Sequence, residues 1–172
     1  LTHVATGPQV LIGSSMGAWL ALLIARDPAT DVAGLALIAP AWDMTERLMW
    51  GPAPREIRDT LLRDGVWHRP SLYCDDNYPI TLRLIEDGRR HLLGDGPLDP
   101  GCAVRILHSL DDPDVPWQGS AALLEMFAAD ADARLTLVNG GGHRLSRDED
   151  VVLLQREVGE LVGTGNVALT KT

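Results

Sequence analysis

Short runs of apolar residues recur along the chain, and longer segments with helical spacing separate them. The apolar runs occupy residues 9–14, 32–39, 103–109 and 134–138. Runs of this length predict buried strands, and helical segments between them predict that the strands pair in parallel. We therefore predict an α/β fold in which about four mainly parallel strands carry helices on both faces.

Helical periodicity predicts five helices between and after these strands. They cover residues 18–26, 55–63, 79–93, 118–129 and 148–162. The charges of the segment 79–93 are interpreted as a solvated face. Between Trp42 and Tyr78 the periodicity fails, and only the short helix 55–63 interrupts an irregular stretch.

The first predicted strand runs directly into Gly13-Ser14-Ser15-Met16-Gly17, and a helical segment follows at once. A Gly-x-Ser-x-Gly sequence between a strand and a helix predicts a nucleophile elbow, with Ser15 as the attacking group. We expect a strained backbone at Ser15, and we expect a Cβ at either flanking glycine to crowd the turn. The amide of Met16 would then point to where an oxyanion forms. The alternative is a flexible Gly/Ser turn, and the flanking strand and helix argue against it.

A serine nucleophile needs a base, and the base needs an acid that orients it. His143 follows the last predicted strand through Gly140–Gly142, and three glycines let a loop fold tightly over a site. We predict His143 as the base, although a solvated loop histidine is the simpler alternative. His108 ends the third strand and is interpreted as a satisfied structural histidine. Spacing alone does not choose the acid among three candidates in the loop after that strand, Asp111, Asp112 and Asp114.

Several segments together resemble a known family. They are Gly13–Trp19, Leu37–Ala41, Leu84–Gly88, Arg105–His108, Asp112, Val115–Trp117 and His143–Ser146. In these segments the chain resembles α/β-hydrolases related to mitochondrial palmitoyl-protein thioesterase, the ABHD10-like group. The resemblance covers nearly the whole chain and implies the α/β-hydrolase fold and hydrolysis of acyl esters or thioesters. S-palmitoyl cysteine and acyl glucuronides are among the substrates of the group. Its His-x-x-x-Asp-x-x-Val-Pro pattern falls on His108, Asp112, Val115 and Pro116, and so implies Asp112 as the acid.

The position of Ser15 near the start of the chain differs from a complete hydrolase of this fold, which has several strands before its elbow. We therefore expect residues 1–172 to form an N-terminally truncated hydrolase domain with the C-terminal half of the sheet. Residues 1–6 would be the tail of a helix. The missing part would include a second oxyanion donor, and the strand Val10–Ile12 would be an exposed apolar edge.

The irregular stretch lies where this fold inserts a cap, and we interpret residues 42–78 as a small lid. Its tryptophans and Met49 would line an acyl-chain pocket, or would only pack the lid onto the core. Trp117 follows the acidic loop and would either anchor that loop or touch substrate. The candidate substrate-binding residues are Trp42, Trp50, Trp67 and Trp117.

The composition of the chain argues against several classes of binding partner and cofactor. The net charge of −9 argues against nucleic acid and anionic membranes, and the longest apolar stretches are too short to span a bilayer. Cys74 and Cys102 form neither a metal spacing nor a disulfide framework, which favours a reducing, cytoplasmic location. The scattered histidines give no support to a metal site, and the mechanism requires no cofactor.

The sequence thus predicts a serine hydrolase in which Ser15, His143 and Asp112 form a triad with the Met16 amide as oxyanion donor. Its substrate would be a small acyl ester or an acylated protein, and ester and thioester substrates differ only in the leaving group. The alternative is a non-catalytic hydrolase-like binding domain or an inactive fragment. Such proteins usually lose a triad residue, whereas all three positions here carry competent residues.

Overall fold

The computed structural model describes residues 6–70 and 77–164. The strands are β1 (Gln9–Ser14), β2 (Val32–Ile38), β3 (Val66–Arg69), β4 (Tyr78–Thr81), β5 (Ala103–Ser109) and β6 (Ala133–Val138). The helices are α1 (Met16–Ala25), α2 (Arg55–Asp64), α3 (Leu82–Gly88), α4 (Gln118–Glu125) and α5 (Asp148–Thr164). The chain divides into two compact units: the first unit is formed by the described residues on either side of Asp43–Gly94, and the second unit is Asp43–Gly94 itself.

The first unit is built on a four-stranded parallel sheet in the order β1-β2-β5-β6. Its register pairs Ser14 with Ile38, Ile38 with Leu107, and Ser109 with Val138. Because the strands are parallel, their carboxyl ends meet at one edge of the sheet, where ligands bind in open α/β sheets. The segments that carry Ser15, Asp112 and His143 leave the sheet at this edge.

The two central strands are buried on both faces. Gly34, Leu35, Ala36 and Leu37 of β2 are all buried, although successive side chains of a strand point to opposite faces. This pattern is typical of a parallel sheet covered on both sides. Helix α5 packs closely against β2, since a Cβ on Gly34 would lie 3.1 Å from Cδ2 of Leu161. The predicted α/β architecture with about four parallel strands is therefore confirmed.

The second unit contains a small antiparallel sheet. Strands β3 and β4 pair from Val66 with Thr81 to Arg69 with Tyr78. A single π-helical turn, Thr45–Trp50, and helices α2 and α3 complete the unit. The carboxylate of Asp43 accepts hydrogen bonds from the amides of Leu93 and Gly94 at 2.8 and 3.0 Å and so joins the two ends of the unit.

Several helix boundaries differ from the prediction: α1 begins two residues earlier, at Met16, and α3 ends at Gly88 rather than at residue 93. The helix predicted over 79–93 is wrong at its start, because the cross-strand pairing of β4 takes residues 78–81 and Thr81 then caps α3 by accepting a hydrogen bond from the Leu84 amide. Helix α4 ends at Glu125 rather than residue 129, because Leu98 pairs with the segment at Phe127 in an isolated bridge. Helix α5 runs two residues further than predicted, to Thr164.

The predicted lid over 42–78 covers only part of the second unit, which extends to Gly94 and includes α3. Lid residues 71–76 and the predicted helix tail at residues 1–5 lie outside the described residues. Among the helices described, none combines the length and the apolar character needed to cross a membrane.

Candidate active site

Ser15 connects the end of β1 to the start of α1 in a backbone conformation that serine rarely adopts. Its φ is 54° and its ψ is −119°. The neighbouring strand holds it there, because the Ser15 amide donates to the carbonyl of Ile38 at 2.8 Å and the Ala41 amide donates to the carbonyl of Ser15 at 3.2 Å. The hydroxyl is thereby presented at the carboxyl edge of the sheet.

The two glycines of the motif differ in what they allow. A Cβ on Gly13 would lie 2.5 Å from the carbonyl oxygen of Gly17 and 2.7 Å from Cα of Ala18, so the close approach of β1 and α1 requires glycine there. A Cβ on Gly17 would meet no described atom within 4 Å. The expectation of crowding is therefore confirmed for Gly13 and wrong for Gly17, which faces open space.

His143 lies between Ser15 and an aspartate. Its Nε2 is 3.0 Å from Oγ of Ser15, and its Nδ1 is 2.8 Å from Oδ2 of Asp112. An ionised carboxylate can only accept, so Nδ1 carries the proton and Nε2 is left to accept from the Ser15 hydroxyl. This is the tautomer that a general base next to a serine requires.

The Asp112 carboxylate is fully engaged by donors. Oδ1 accepts from the amides of Asp114 at 2.8 Å and Val115 at 2.9 Å, and Oδ2 accepts from His143 and from Nε2 of His108 at 3.2 Å. Burial by itself would raise the pKa of Asp112, but these hydrogen bonds outweigh it and hold the pKa well below its usual range. Asp112 is therefore a fixed negative charge beside His143.

The other two candidate acids lie elsewhere in the same loop. Asp114 supplies its backbone amide to Asp112. Oδ1 of Asp111 accepts from the hydroxyl of Ser109 and, at 3.3 Å, from the amide of Gly142. Of the three carboxylates, Asp112 is the one that is hydrogen bonded to His143.

The glycine loop before His143 has a left-handed backbone at three successive residues, with φ of 80°, 95° and 57° at Gly140, Gly141 and Gly142. Side chains at these positions would be strained. The hydroxyl of Ser109 reaches the carbonyl of Gly140 at 2.7 Å, and Asp111 reaches the Gly142 amide. The end of β5 therefore holds the loop that carries His143.

The hydrogen bond to Asp112 raises the pKa of His143 above that of an ordinary histidine, and partial burial opposes this only in part. A base with a raised pKa takes a proton from serine more readily once it is itself neutral. The site therefore contains a hydroxyl, an imidazole and a fixed carboxylate in hydrogen-bonded sequence.

The Met16 amide is the first amide of α1. Such an amide has no acceptor within its own helix and lies at the positive end of the helix dipole. It is adjacent to Ser15 in the chain, so it is available to a negatively charged oxygen formed next to that hydroxyl.

The four candidate tryptophans lie in different surroundings. Trp42 is 3% exposed, and its indole N–H donates to the carbonyl of Gly119 at 2.9 Å, a contact that favours the packing interpretation. Trp117 precedes α4 and its carbonyl accepts from the Ser120 amide. In the second unit, the ring of Trp50 lies 4.8 Å from the guanidinium carbon of Arg89, and Trp67 pairs with Ile80 between β3 and β4.

One group of side chains in the described residues has the spacing of metal ligands. Asp112, Asp114 and His143 each offer a ligand atom, and these atoms lie within 4.8 Å of one another. The group overlaps the hydrogen bond between Asp112 and His143, which a metal ion would have to break. A metal-free, cofactor-free site stays the prediction.

His108 is the residue of this site that the sequence analysis placed outside it. It is buried with hydrogen-bond partners on both ring nitrogens, as a satisfied structural histidine would be, and one of these partners is Asp112. The signal was present in the sequence as the spacing of His108 four residues before Asp112. That spacing places both residues near the end of β5 but does not show which side chains meet.

The sequence of this chain is similar to those of known α/β-hydrolases. The model of the alpha/beta hydrolase family matches residues 1–154. The palmitoyl-protein thioesterase ABHD10, mitochondrial, of Homo sapiens is 31% identical over 163 residues, which are 94% of this chain and 53% of the relative. The Mus musculus protein of the same name is 33% identical over 165 residues, 94% of this chain and 54% of the relative. The chain thus spans about half the length of the curated relatives it matches.

Two solved structures are similar over most of the chain. A protein from Agrobacterium vitis S4 has a TM-score of 0.88 and 37% identity, covering 94% of this chain and 64% of that one. The alpha/beta hydrolase domain-containing protein 10 from mouse has a TM-score of 0.82 and 31% identity, with the same coverage of 94% and 64%. These matches confirm the predicted hydrolase fold and the resemblance to the ABHD10-like group.

The comparisons also correct one prediction. The curated relatives are named as mitochondrial proteins, which contradicts the cytoplasmic location inferred from the cysteines. The inference failed because reduced cysteines are compatible with more than one compartment.

Proposed function

This chain belongs to the alpha/beta hydrolase family, and we propose that it is a serine hydrolase that cleaves carboxylic esters or thioesters. Ser15 is the nucleophile, His143 the general base and Asp112 the residue that orients the base. The observation that carries the proposal is the sequence of hydrogen bonds from Ser15 Oγ to His143 at 3.0 Å and from His143 to Asp112 at 2.8 Å.

The first half of the reaction acylates the enzyme. Ser15 Oγ attacks the acyl carbon while its proton passes to Nε2 of His143, and the carbonyl oxygen becomes an oxyanion. The Met16 amide donates a hydrogen bond to that oxyanion. The tetrahedral intermediate then collapses: the bond to the alkoxide or thiolate breaks, and His143 returns the proton to the leaving group.

The second half repeats these steps with water. His143 takes a proton from a water molecule, whose oxygen attacks the acyl carbon of the acyl-serine. Collapse breaks the bond to Ser15 Oγ, which takes the proton back from His143. A carboxylic acid is released and the enzyme is regenerated.

The finer substrate assignment rests on the relatives. Because they are named palmitoyl-protein thioesterases, we propose acyl thioesters, including S-acylated protein, as the substrate class. The site chemistry supports esters equally, since the two differ in the leaving group. The lid stays a prediction from the sequence, and so do the candidate substrate-binding residues Trp42, Trp50, Trp67 and Trp117.

The test measures hydrolysis of p-nitrophenyl esters and acyl thioesters of increasing acyl-chain length, by the protein and by its Ser15→Ala variant. We expect turnover that Ser15→Ala reduces to background, with Ser14→Ala as the neighbouring control that keeps it. A preference for long acyl thioesters supports the finer assignment. A folded wild-type protein without turnover contradicts the proposal and favours the binding-domain alternative.

A further inference from the structure

His108 is a buried histidine with polar partners on both ring nitrogens. It lies in β5, and its exposed fraction is 0%. Nδ1 is 2.6 Å from Oγ of Ser120, whereas Nε2 is 3.0 Å from the carbonyl oxygen of Val115 and 3.2 Å from Oδ2 of Asp112. All four residues belong to the first compact unit.

The partners determine where the proton of His108 lies. The Val115 carbonyl can only accept, and so can the ionised Asp112 carboxylate, so Nε2 must be the protonated nitrogen. Nδ1 is then an acceptor, and the Ser120 hydroxyl donates to it. Among the described residues Ser120 Oγ has no other side-chain hydrogen-bond partner, so a cationic His108 would leave the buried hydroxyl hydrogen without an acceptor.

The consequence is that Oδ2 of Asp112 accepts from two imidazoles at once. His143 donates to it at 2.8 Å, and the Nε2–H of His108, which is shared with the Val115 carbonyl at 3.0 Å, donates to it at 3.2 Å. With two amides on Oδ1, the carboxylate has four donors, which matches its capacity of about four lone-pair sites. A carboxylate held this way cannot rotate without losing a hydrogen bond.

We propose that His108 is a positioning residue, which holds Oδ2 of Asp112 where it accepts the Nδ1 proton of His143. The Ser120 hydroxyl supports it by fixing the tautomer that places the proton on Nε2. The inference rests on the proposed function, because it assigns His108 a part in orienting the base of that same triad.

The proposal predicts a pH effect that a purely structural residue would not produce. The charged groups acting on the imidazole of His143 are Asp112, Asp114 and Arg144, and the carbonyl and hydroxyl beside His108 are uncharged. If Asp112 rotates away, His143 loses the hydrogen bond that raises its pKa. The acid limb of the kcat/KM profile then moves to lower pH, and kcat falls while KM changes little.

The experiment compares three variants of the full-length enzyme. His108→Phe keeps the ring volume and removes both nitrogens, Ser120→Ala removes the donor to Nδ1, and His108→Gln restores an N–H donor near the Nε2 position. We expect kcat to fall about tenfold to hundredfold in His108→Phe, less in Ser120→Ala, and to recover in part in His108→Gln. We expect the acid limb of the kcat/KM profile to move to lower pH by the largest amount in His108→Phe and by less in Ser120→Ala and His108→Gln.

Ile106→Val is the matched control for stability, since Ile106 is buried in the same strand and its apolar side chain makes no hydrogen bond to these groups. It lowers the melting temperature and leaves kcat and the acid limb at wild-type values. An acid limb and kcat in His108→Phe like those of Ile106→Val would overturn the proposal. A wild-type enzyme without turnover or fluorophosphonate labelling would instead overturn the proposed function.

A measurement on the wild-type protein covers the case in which His108→Phe does not fold. Imidazole ¹⁵N NMR at pH 8 reports the tautomer of each histidine. We expect a protonated Nε2 and an unprotonated Nδ1 for His108, and the reverse for His143. A protonated Nδ1 on His108 would contradict the proposal, because its Nε2 could then not donate to Asp112.

Discussion

Ser15 holds a backbone conformation that costs a non-glycine residue about 1–3 kcal/mol. The cost is offset by hydrogen bonds to the end of β2, where the Ser15 amide meets the Ile38 carbonyl at 2.8 Å. In return the hydroxyl is 3.0 Å from Nε2 of His143. The strain at this one residue is thus tied to the geometry on which the proposed chemistry depends.

Gly13→Ala tests whether the close packing behind Ser15 is required. Its Cβ would lie 2.5 Å from a backbone oxygen that cannot move aside, so we expect the free energy of unfolding to fall by about 2 kcal/mol and fluorophosphonate labelling to be lost. The measurements are chemical denaturation and the labelling rate.

The matched control for Gly13→Ala is Gly17→Ala, where the new Cβ meets no described atom within 4 Å. Alanine is the better helix former, so we expect the control to be neutral or slightly stabilising. Equal effects of the two substitutions would show that the packing of the elbow does not matter.

The pH dependence of the reaction tests the base and its acid. The hydrogen bond to Asp112 raises the pKa of His143, and the base must be neutral, so activity should rise with pH through an acid limb above the usual histidine value of about 6.5. In Asp112→Asn the limb should move to lower pH, and kcat should fall by about 10³–10⁴ because the wrong tautomer is favoured.

Asp114→Asn distinguishes the two acids left open by the sequence. Asp114 contributes its backbone amide to Asp112 and a longer-range charge effect on His143. We expect kcat within a few-fold of wild type and only a small downward shift of the limb. A loss as large as that of Asp112→Asn would contradict the assignment of Asp112.

At the level of elements, β5 joins the site to the stability of the fold. Its carboxyl end carries Ser109 and leads to Asp112, whereas Arg105 near its start reaches toward α5. Arg105 is 4% exposed and donates to Asp132 at 2.8 Å, and its Nε lies 3.8 Å from Oε2 of Glu157, which is also buried. This charged cluster is expected to stabilise the fold without taking part in the reaction.

Arg105→Ala tests whether the charged cluster stabilises the fold without affecting the reaction. Removing one partner leaves Glu157 buried with less compensation, so we expect the free energy of unfolding to fall by about 3 kcal/mol, with kcat of the folded enzyme unchanged. Arg55→Ala breaks the exposed pair with Asp59 and should change stability by less than about 1 kcal/mol. An equal change in the free energy of unfolding of the two variants would contradict a stabilising role for the buried cluster.

The elements that could be predicted from the sequence are those whose own residues determine them. Strands β1, β2 and β5 are mainly apolar runs, β6 has apolar residues at most of its positions, and α2 and α5 show their periodicity locally. Strands β3 and β4 escaped prediction because each depends on pairing with a partner strand whose residues lie nine to fifteen positions away in the chain. The early end of α4 likewise depends on Leu98, which comes from before β5.

The same distinction holds for the candidate site. Ser15 and His143 could be singled out because the motif and the glycine loop are local signals. Choosing Asp112 needed the family resemblance, since three aspartates share one loop. The contacts of His108 and Asp111 join strand β5, the loop after it, helix α4 and the glycine loop, and no spacing in one sequence specifies them.

At the scale of the molecule, the edge of the sheet at β1 carries exposed apolar surface among the described residues. β1 is an edge strand of the sheet, its Ile12 is 56% exposed, and a groove of about 470 Å³ runs from Ile12 to the second half of α5. The lining is mainly apolar and includes Leu154, Val158 and Val162. Open apolar strand edges favour association with other chains.

We therefore expect the 172-residue chain to self-associate as its concentration rises, measured by sedimentation velocity. Ile12→Lys places a charge on the edge strand and should weaken the association. Leu62→Lys, at an exposed position of α2 in the second unit, is the control and should leave it unchanged. A monomer at all concentrations would show that the apolar edge does not drive self-association.

The most direct test of the central claim is to map where a fluorophosphonate reacts with the full-length protein. Ser15 Oγ should attack the phosphorus and displace fluoride, and mass spectrometry should find one adduct, on Ser15 and not on the adjacent Ser14. Labelling should slow strongly in His143→Ala and Asp112→Asn. An adduct on Ser14 or another residue, or no adduct on a protein shown to be folded, would contradict the assignment of Ser15 as the nucleophile.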